Sequence, residues 1–256
     1  MIRHKIVHLV RHGQALHNVR AEPARKAGCS FDEFLNLMRE DDAVDADLTP
    51  TGQQQAATVK TDAAALHPEL IVVSPLSRAI DTALIVFGKG DYICLESLRE
   101  RNGLLKNGQR RTLEYLKDRF AEHDINFDNI EPGEDKLWHA FGGETLETPE
   151  ACSQRAYDSL LWITRRPEKE IAIVAHGGLF HQMTNSLPDL IQCDTLASER
   201  FHNCELRTVK IEWVEDIQDG STNSGNNSKE EKKDSDDANT KRVLKLTKLV
   251  NYKTLQ

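Results

Sequence analysis

Ile6-Val7-His8-Leu9-Val10-Arg11-His12-Gly13 is a short apolar run that stops on a cation, an imidazole and a glycine. A run of this length, made of Val, Ile and Leu, reads as a strand buried on both faces. In open parallel sheets ligands bind beyond the carboxyl ends of such strands, so Arg11 and His12 stand where chemistry is expected. Arginine offers a planar fork for phosphate oxygens, and glycine lets backbone N–H groups approach an anion. The design recurs downstream. Ile171-Ala172-Ile173-Val174-Ala175 leads into His176-Gly177-Gly178, Leu70-Ile71-Val72-Val73 leads into Ser74-Pro75-Leu76-Ser77-Arg78-Ala79, and Tyr92-Ile93-Cys94-Leu95 leads into Leu98-Arg99-Glu100-Arg101. Strand ends therefore present Arg, His, Arg, Glu and His, the side chains of a phosphate site.

Helical patterns alternate with these runs, which predicts a three-layer α/β/α sandwich around a mostly parallel sheet. Phe31, Phe34, Leu35 and Met38 fall at i, i+3, i+4 and i+7, the spacing of an amphipathic helix. That helix either roofs the pocket or packs on the sheet. Thr49-Pro50 and Thr148-Pro149 each read as an N-cap followed by proline at the first helical position. Val209, Ile211 and Trp213 alternate with polar residues, as in a half-buried strand, expected as the antiparallel edge of the sheet. Residues 1–214 are thus expected to form one catalytic domain. Residues 215–241, Ser-, Asn-, Gly-, Asp- and Lys-rich, are expected to be a disordered linker. Residues 242–256 regain apolar alternation and return as a strand or remain a basic tail.

The formal charge of −8 over 256 residues offers no broad basic face for nucleic acid. Five scattered cysteines read as reduced thiols. No apolar run approaches the length of a membrane span and no signal peptide is recognised, so the expected location is the cytoplasm. Histidine and cysteine spacings match no zinc motif, so no metal is expected.

Five blocks carry a family resemblance. They are Leu9-Val10-Arg11-His12-Gly13-Gln14 with Asn18 following, Leu48-Thr49-Pro50-Thr51-Gly52-Gln53, Ser74-Pro75-Leu76-Ser77-Arg78-Ala79, Gly143-Glu144-Thr145 with Arg155 following, and Ala175-His176-Gly177-Gly178. In order and rough spacing the chain resembles the histidine phosphatase superfamily, in its phosphoglycerate mutase-like branch. The resemblance implies that His12 is phosphorylated and passes the group on. It implies that Arg11, Arg78 and His176 bind the transferring group together with Asn18 and Gly177, and that a carboxylic acid protonates the leaving oxygen. By motif that acid is Glu100, with Glu96 and Glu144 as competitors. The substrate implied is a small phosphorylated molecule, with no cofactor. Arg110 and Arg111 resemble a paired arginine feature with which some relatives hold a carboxylate or second phosphate; the competing reading is a solvated charge run.

Cofactor-dependent mutases carry a longer insertion after the acid. Here Arg99-Glu100-Arg101-Asn102-Gly103 runs directly toward Arg110-Arg111-Thr112. A shorter cover admits water, which favours hydrolysis over transfer. The expected activity is a metal-independent phosphomonoesterase, with a phosphoglycerate mutase or a catalytically silent phospho-ligand binder as alternatives.

Overall fold

Eight strands join into one sheet: β1 (Ile2–Arg11), β2 (Leu70–Val73), β3 (Tyr92–Leu95), β4 (Ile125–Asn129), β5 (Glu170–Ala175), β6 (Ile191–Cys193), β7 (Leu206–Val214) and β8 (Leu244–Lys248), in the order β4-β3-β2-β5-β1-β7-β8-β6. The structure, a computed structural model, describes residues 1–40, 43–214 and 242–248. The five strands from β4 to β1 run parallel. Among the described residues the helices are α1 (Asn18–Lys26), α2 (Phe31–Glu40), α3 (Pro50–Ala63), α4 (Ser77–Phe87), α5 (Leu113–Arg119), α6 (Lys136–His139), α7 (Pro149–Arg165), α8 (Gly177–Asn185) and α9 (Thr195–Ser198).

The pleat explains the layers. Alternate residues of the central strands face opposite ways, and both sets are apolar. Val7, Leu9, Val72, Ile171 and Ile173 pack under α7 and α8, against Tyr157, Leu160, Leu179 and Phe180. Val10, Ile71, Val73, Ala172 and Val174 pack under α4 and α5, against Ile80, Ala83, Leu116 and Phe120. Each such side chain removed from water contributes about 1.5–3 kcal/mol, so the parallel arrangement follows from continuous apolar runs that need cover on both faces. Helix starts follow local chemistry. Thr49 accepts the Gly52 N–H at 3.1 Å and Thr148 the Ala151 N–H at 3.2 Å, each with proline next in line.

The expected α/β/α sandwich is what forms, with one detail changed. β7 is the antiparallel strand, in register with β1 from Ile2–Val214 to Val10–Leu206, but it is not the edge. β8 covers its outer side, pairing Ile211 with Leu246 and Trp213 with Leu244, and β6 lies beyond. A nine-residue strand with buried Val209, Ile211 and Trp213 would expose a long apolar edge if left open, a liability that β8 removes. Neither β4 nor β6 was foreseen. One is a polar edge segment and the other spans three residues, too short for periodicity to register. The expectations for 215–241 and 249–256 lie outside the described residues.

Gly13 and Gly52 bring two segments of the first block pair together. A Cβ on Gly52 would fall 2.1 Å from the Gln14 carbonyl oxygen, and one on Gly13 2.5 Å from the Gly52 carbonyl oxygen. Thr49 adds an N–H bond to the Gln14 carbonyl at 2.9 Å and a hydroxyl bond to its side chain at 2.8 Å. The start of α3 is thereby docked on the turn that carries His12.

Candidate active site

At the carboxyl edge of the parallel strands lies a cavity of about 280 Å³, whose lining includes Arg11, His12, His17, Asn18, Glu100, Gly177 and Gly178. β1 delivers Arg11, with His12 next in sequence, and β5 ends immediately before His176. α4 carries Arg78 in its first turn after β2. α1, α4 and α8 begin close after these strand ends and turns, and the partial positive charge of a helix N-terminus favours an anion.

Arg78 is the hub. It is fully buried, donating from Nε to His12 Nε2 at 3.4 Å, from Nη2 to His176 Nδ1 at 3.4 Å, and from Nη1 to the Asn107 carbonyl at 2.7 Å. Burial pushes its pKa down to about 10, opposed by Asp45 and Glu100, so it stays a cation at neutral pH. Asp45 accepts the Ser77 N–H at 2.8 Å and its hydroxyl at 2.6 Å, which anchors the turn ahead of Arg78.

These contacts define both imidazole tautomers. His12 Nδ1 lies 2.6 Å from the Gly13 carbonyl oxygen, which only accepts, so Nδ1 carries the proton and Nε2 keeps its lone pair. His176 Nδ1 accepts from Arg78, so its Nε2–H donates to Ser74 Oγ at 2.8 Å. The two rings sit 5.0 Å apart between centroids. Burial holds the pKa of His12 well below the ordinary histidine value, and the Arg78 and Arg11 charges add to this. Burial, then Arg78, does the same to His176. The cations that keep His12 neutral are therefore second to the loss of water around it.

Arg11 is fixed by a 2.5 Å ion pair with Glu22 and a 2.9 Å bond to the Phe201 carbonyl. Gly177 lies flat against its guanidinium, since a Cβ there would come within 2.9 Å of Nε. Asn18 turns Oδ1 to the Ala15 N–H at 3.0 Å, leaving its amide NH₂ for the cavity it lines. Of the three carboxyl candidates for the acid, Glu100 alone lines the cavity. Its Oε2 accepts the Gly178 N–H at 3.0 Å and its Oε1 the Arg101 N–H at 2.9 Å. Glu96 turns to Arg99 and Arg110, and Glu144 is exposed. The strip bearing Glu100 is braced from both sides. Arg155 donates to the Ser97 and Arg99 carbonyls at 2.7 Å while paired with Glu147, and Arg99 forks onto Asp135 at 2.5 and 2.6 Å.

A model of the histidine phosphatase superfamily (branch 1) matches residues 7–216. The chain belongs to that superfamily. It is 33% identical over 245 residues to phosphoglycerate mutase-like protein 1 of Arabidopsis thaliana, covering 82% of each chain. A second relative, the glucosyl-3-phosphoglycerate phosphatase of Mycolicibacterium vanbaalenii, is 28% identical over 156 residues, 56% of this chain and 64% of that one. Among solved structures, one described as a putative alpha-ribazole-5'-P phosphatase from Escherichia coli superposes with a TM-score of 0.50 at 18% identity, covering 80% of this chain and 90% of the other, a likeness of fold. Among the described residues of this superfamily member, no helix is long and apolar enough to cross a membrane.

One sequence expectation meets a different arrangement, and one open choice is decided. Arg110 and Arg111 do not line the cavity. Arg110 is buried, held by Glu96 and by the Arg111 and Glu131 carbonyls, because the carboxylates of that turn give it nearer partners than any ligand. Arg111 is exposed, reaching the Val44 carbonyl and lying over Tyr115. α2 does not pack on the sheet. Its Met38, Phe34 and Leu35 cluster with Ala21 of α1 and with Leu105, and Phe31, Phe34, Leu35 and Met38 all line the cavity as its wall.

His17 and Glu22 were missed. His17 is 3% exposed, its ring 6.0 Å from that of His12, and its Nδ1 is enclosed without a partner among the described residues. Burial, then Arg78 and Arg11, keep it neutral. The available signal was its place just ahead of Asn18, where the chain turns into α1 and back toward the strand end.

Proposed function

We propose that this chain is a metal-independent phosphomonoesterase that works through a phosphohistidine on His12. The observation that carries the reading is the neutral imidazole, its Nδ1 proton tied to the Gly13 carbonyl and its Nε2 lone pair turned to Arg78, beside a cavity that Arg11 also lines. Nε2 attacks phosphorus, the ester P–O bond breaks, and Glu100 gives its proton to the departing oxygen. Arg11 and Arg78 hold the equatorial oxygens, whose charge persists through the transition state, and His176 joins them by turning its Nε2–H from Ser74 to the bound group. Water then gives a proton to Glu100 and attacks phosphorus. The P–N bond returns its electron pair to Nε2, leaving the starting enzyme and inorganic phosphate. Positioned proton transfer of this kind contributes about 10²–10⁴-fold.

The test is phosphate release from a panel of small phosphomonoesters, 3-phosphoglycerate included, with EDTA present. Turnover in EDTA is expected. Release that depends on added metal, or interconversion of 2- and 3-phosphoglycerate without release, would replace this reading, the latter by a mutase, as in the name of the Arabidopsis relative.

Glu100 has its own test in Gly178→Ala, because a Cβ there would come within 2.3 Å of Oε1 and push the carboxyl aside. A displacement of this size in a positioned group costs about 10²-fold in kcat. The loss should be larger for alkyl phosphates, whose leaving alkoxide needs the proton, than for 4-nitrophenyl phosphate. Equal losses on both would remove Glu100 as the donor.

A further inference from the structure

Away from the phosphate end the cavity is built differently. One wall is apolar: Phe31, Phe34, Leu35 and Met38 of α2, closed by Leu105 and Leu146. Phe31 is 56% exposed, a large ring left in contact with water at the rim. Beside this wall stands Arg25, in the last turn of α1. Its guanidinium lies 4.9 Å from the centre of the Phe34 ring, which orients it but accepts no ordinary hydrogen bond. Its Nη2 is enclosed with no partner among the described residues. The nearby carboxylate Glu22 is committed to Arg11, and Glu100 to two backbone N–H groups. A charged fork with unfilled donors costs free energy until an acceptor arrives, and a small rotation about its terminal bonds turns such a fork to a ligand.

The arginines expected to hold a second anionic group, Arg110 and Arg111, are turned away from the cavity. Arg25 is a lining cation with unfilled hydrogen-bonding capacity away from the phosphate end; Arg11, whose Nε also lacks a partner among the described residues, stands at that end beside His12. The volume of about 280 Å³ falls near the lower end for small-molecule sites and excludes a large leaving group from full enclosure.

We infer that Arg25 anchors a second anionic group of the substrate, and that the leaving group is a small, flat apolar body carrying that anion, seated against the α2 wall. This names a substrate class for the phosphatase reading above and rests on it for the first phosphate, but not for Arg25. The phosphoryl group enters between His12 and Arg78, the flat body lies along Phe31 and Phe34, and the far anion meets the Arg25 fork.

Non-hydrolysable probes separate this inference from the activity. Benzylphosphonate and 4-carboxybenzylphosphonate share a ring and a phosphonate and differ by one carboxylate; 3-phosphonopropionate has both anions and no ring. Calorimetric titration of the full chain is expected to show the carboxybenzyl compound binding at least tenfold more tightly than either of the others. In Arg25→Gln the preference for the carboxylate should fall to about onefold, and Arg25→Lys should keep part of it. Arg111→Gln should keep the full ratio. A thermal melt confirms that each variant is folded. Equal affinity for the two benzyl compounds in the wild type, or a preference that survives Arg25→Gln, overturns the role of Arg25. Equal affinity for the ringless compound overturns the flat body. Phosphate release by the wild type without a carboxylate preference would leave the phosphatase reading standing and sink this one. Preference without release would do the reverse.

Discussion

Replacing His12 by alanine is expected to lower phosphate release by about 10⁴-fold or more, the scale of loss when a nucleophile acting as part of a unit is removed. The physical reason is local. The Gly13 carbonyl takes the Nδ1 proton and burial suppresses protonation of Nε2, so nearly every molecule carries an attacking lone pair at neutral pH. Alanine leaves Arg11, Arg78 and His176 to bind phosphate, so affinity for inorganic phosphate should change far less than turnover. The wild type mixed with labelled substrate and quenched in alkaline detergent should retain label on the protein, because phosphohistidine survives base and is lost in acid. The variant should retain none. Release that continues in His12→Ala, or label that persists on it, would remove the phosphohistidine from the mechanism.

Stability is expected to fall steeply as pH drops below about 6.5, the histidine value of the unfolded chain. His12, His17 and His176 are all held neutral in the fold, burial being the first cause for each and Arg78 the second. Below pH 6.5 the unfolded chain binds protons at these positions and the folded one does not. Folding is therefore penalised by up to about 1.4 kcal/mol per pH unit for each ring, or about 4 kcal/mol per unit for three. Asp45 works the other way, since burial raises its pKa to about 6. Its folded form takes up a proton before its unfolded form, so its contribution is present below about pH 4 and lost as pH rises through about 6. One proton against three leaves the acid loss dominant. Denaturant melts between pH 8 and pH 5 check this, with His17→Gln expected to flatten the slope by up to one proton's worth, about 1.4 kcal/mol per pH unit. Equal stability at both ends of that range would mean that the three rings are not kept neutral.

Inorganic phosphate links the two results. A dianion placed among the three rings supplies the charge partner that burial denies them, so bound phosphate should blunt the acid loss and its binding should draw in protons.

Much of the site could be read from linear order because a parallel sheet converts sequence into position. Each of the runs ending at Arg11, Val73, Leu95 and Ala175 had to become a strand buried on both faces, and parallel strands place their carboxyl ends together. His12, Arg78 and His176 were placed at one edge on that basis and Glu100 by its motif; Arg78 contacts both histidines, and His12 and Glu100 line the cavity beside them. His17 and Glu22 were not, since nothing in composition says which way the first turn of a helix faces. Arg110 was left between two readings for a related reason. A doublet of arginines looks alike whether it meets a ligand or its own carboxylates, and here Glu96 lies closer.

The amino-acid sequence by itself determined the alternation of strands and helices, the helix starts at Thr49 and Thr148, and the residue types that meet at the strand ends, because hydrophobic period and capping are local properties of the chain. Tertiary structure alone decided that β7 lies inside the sheet under β8, that α2 walls the cavity instead of the core, and that Arg25 rather than Arg110 faces the open space. These outcomes depend on which surfaces meet across long separations in the chain, as when Leu246 covers Ile211 or Phe34 stacks on Arg25. Such pairings are set by competition among partners in space, which no local pattern records.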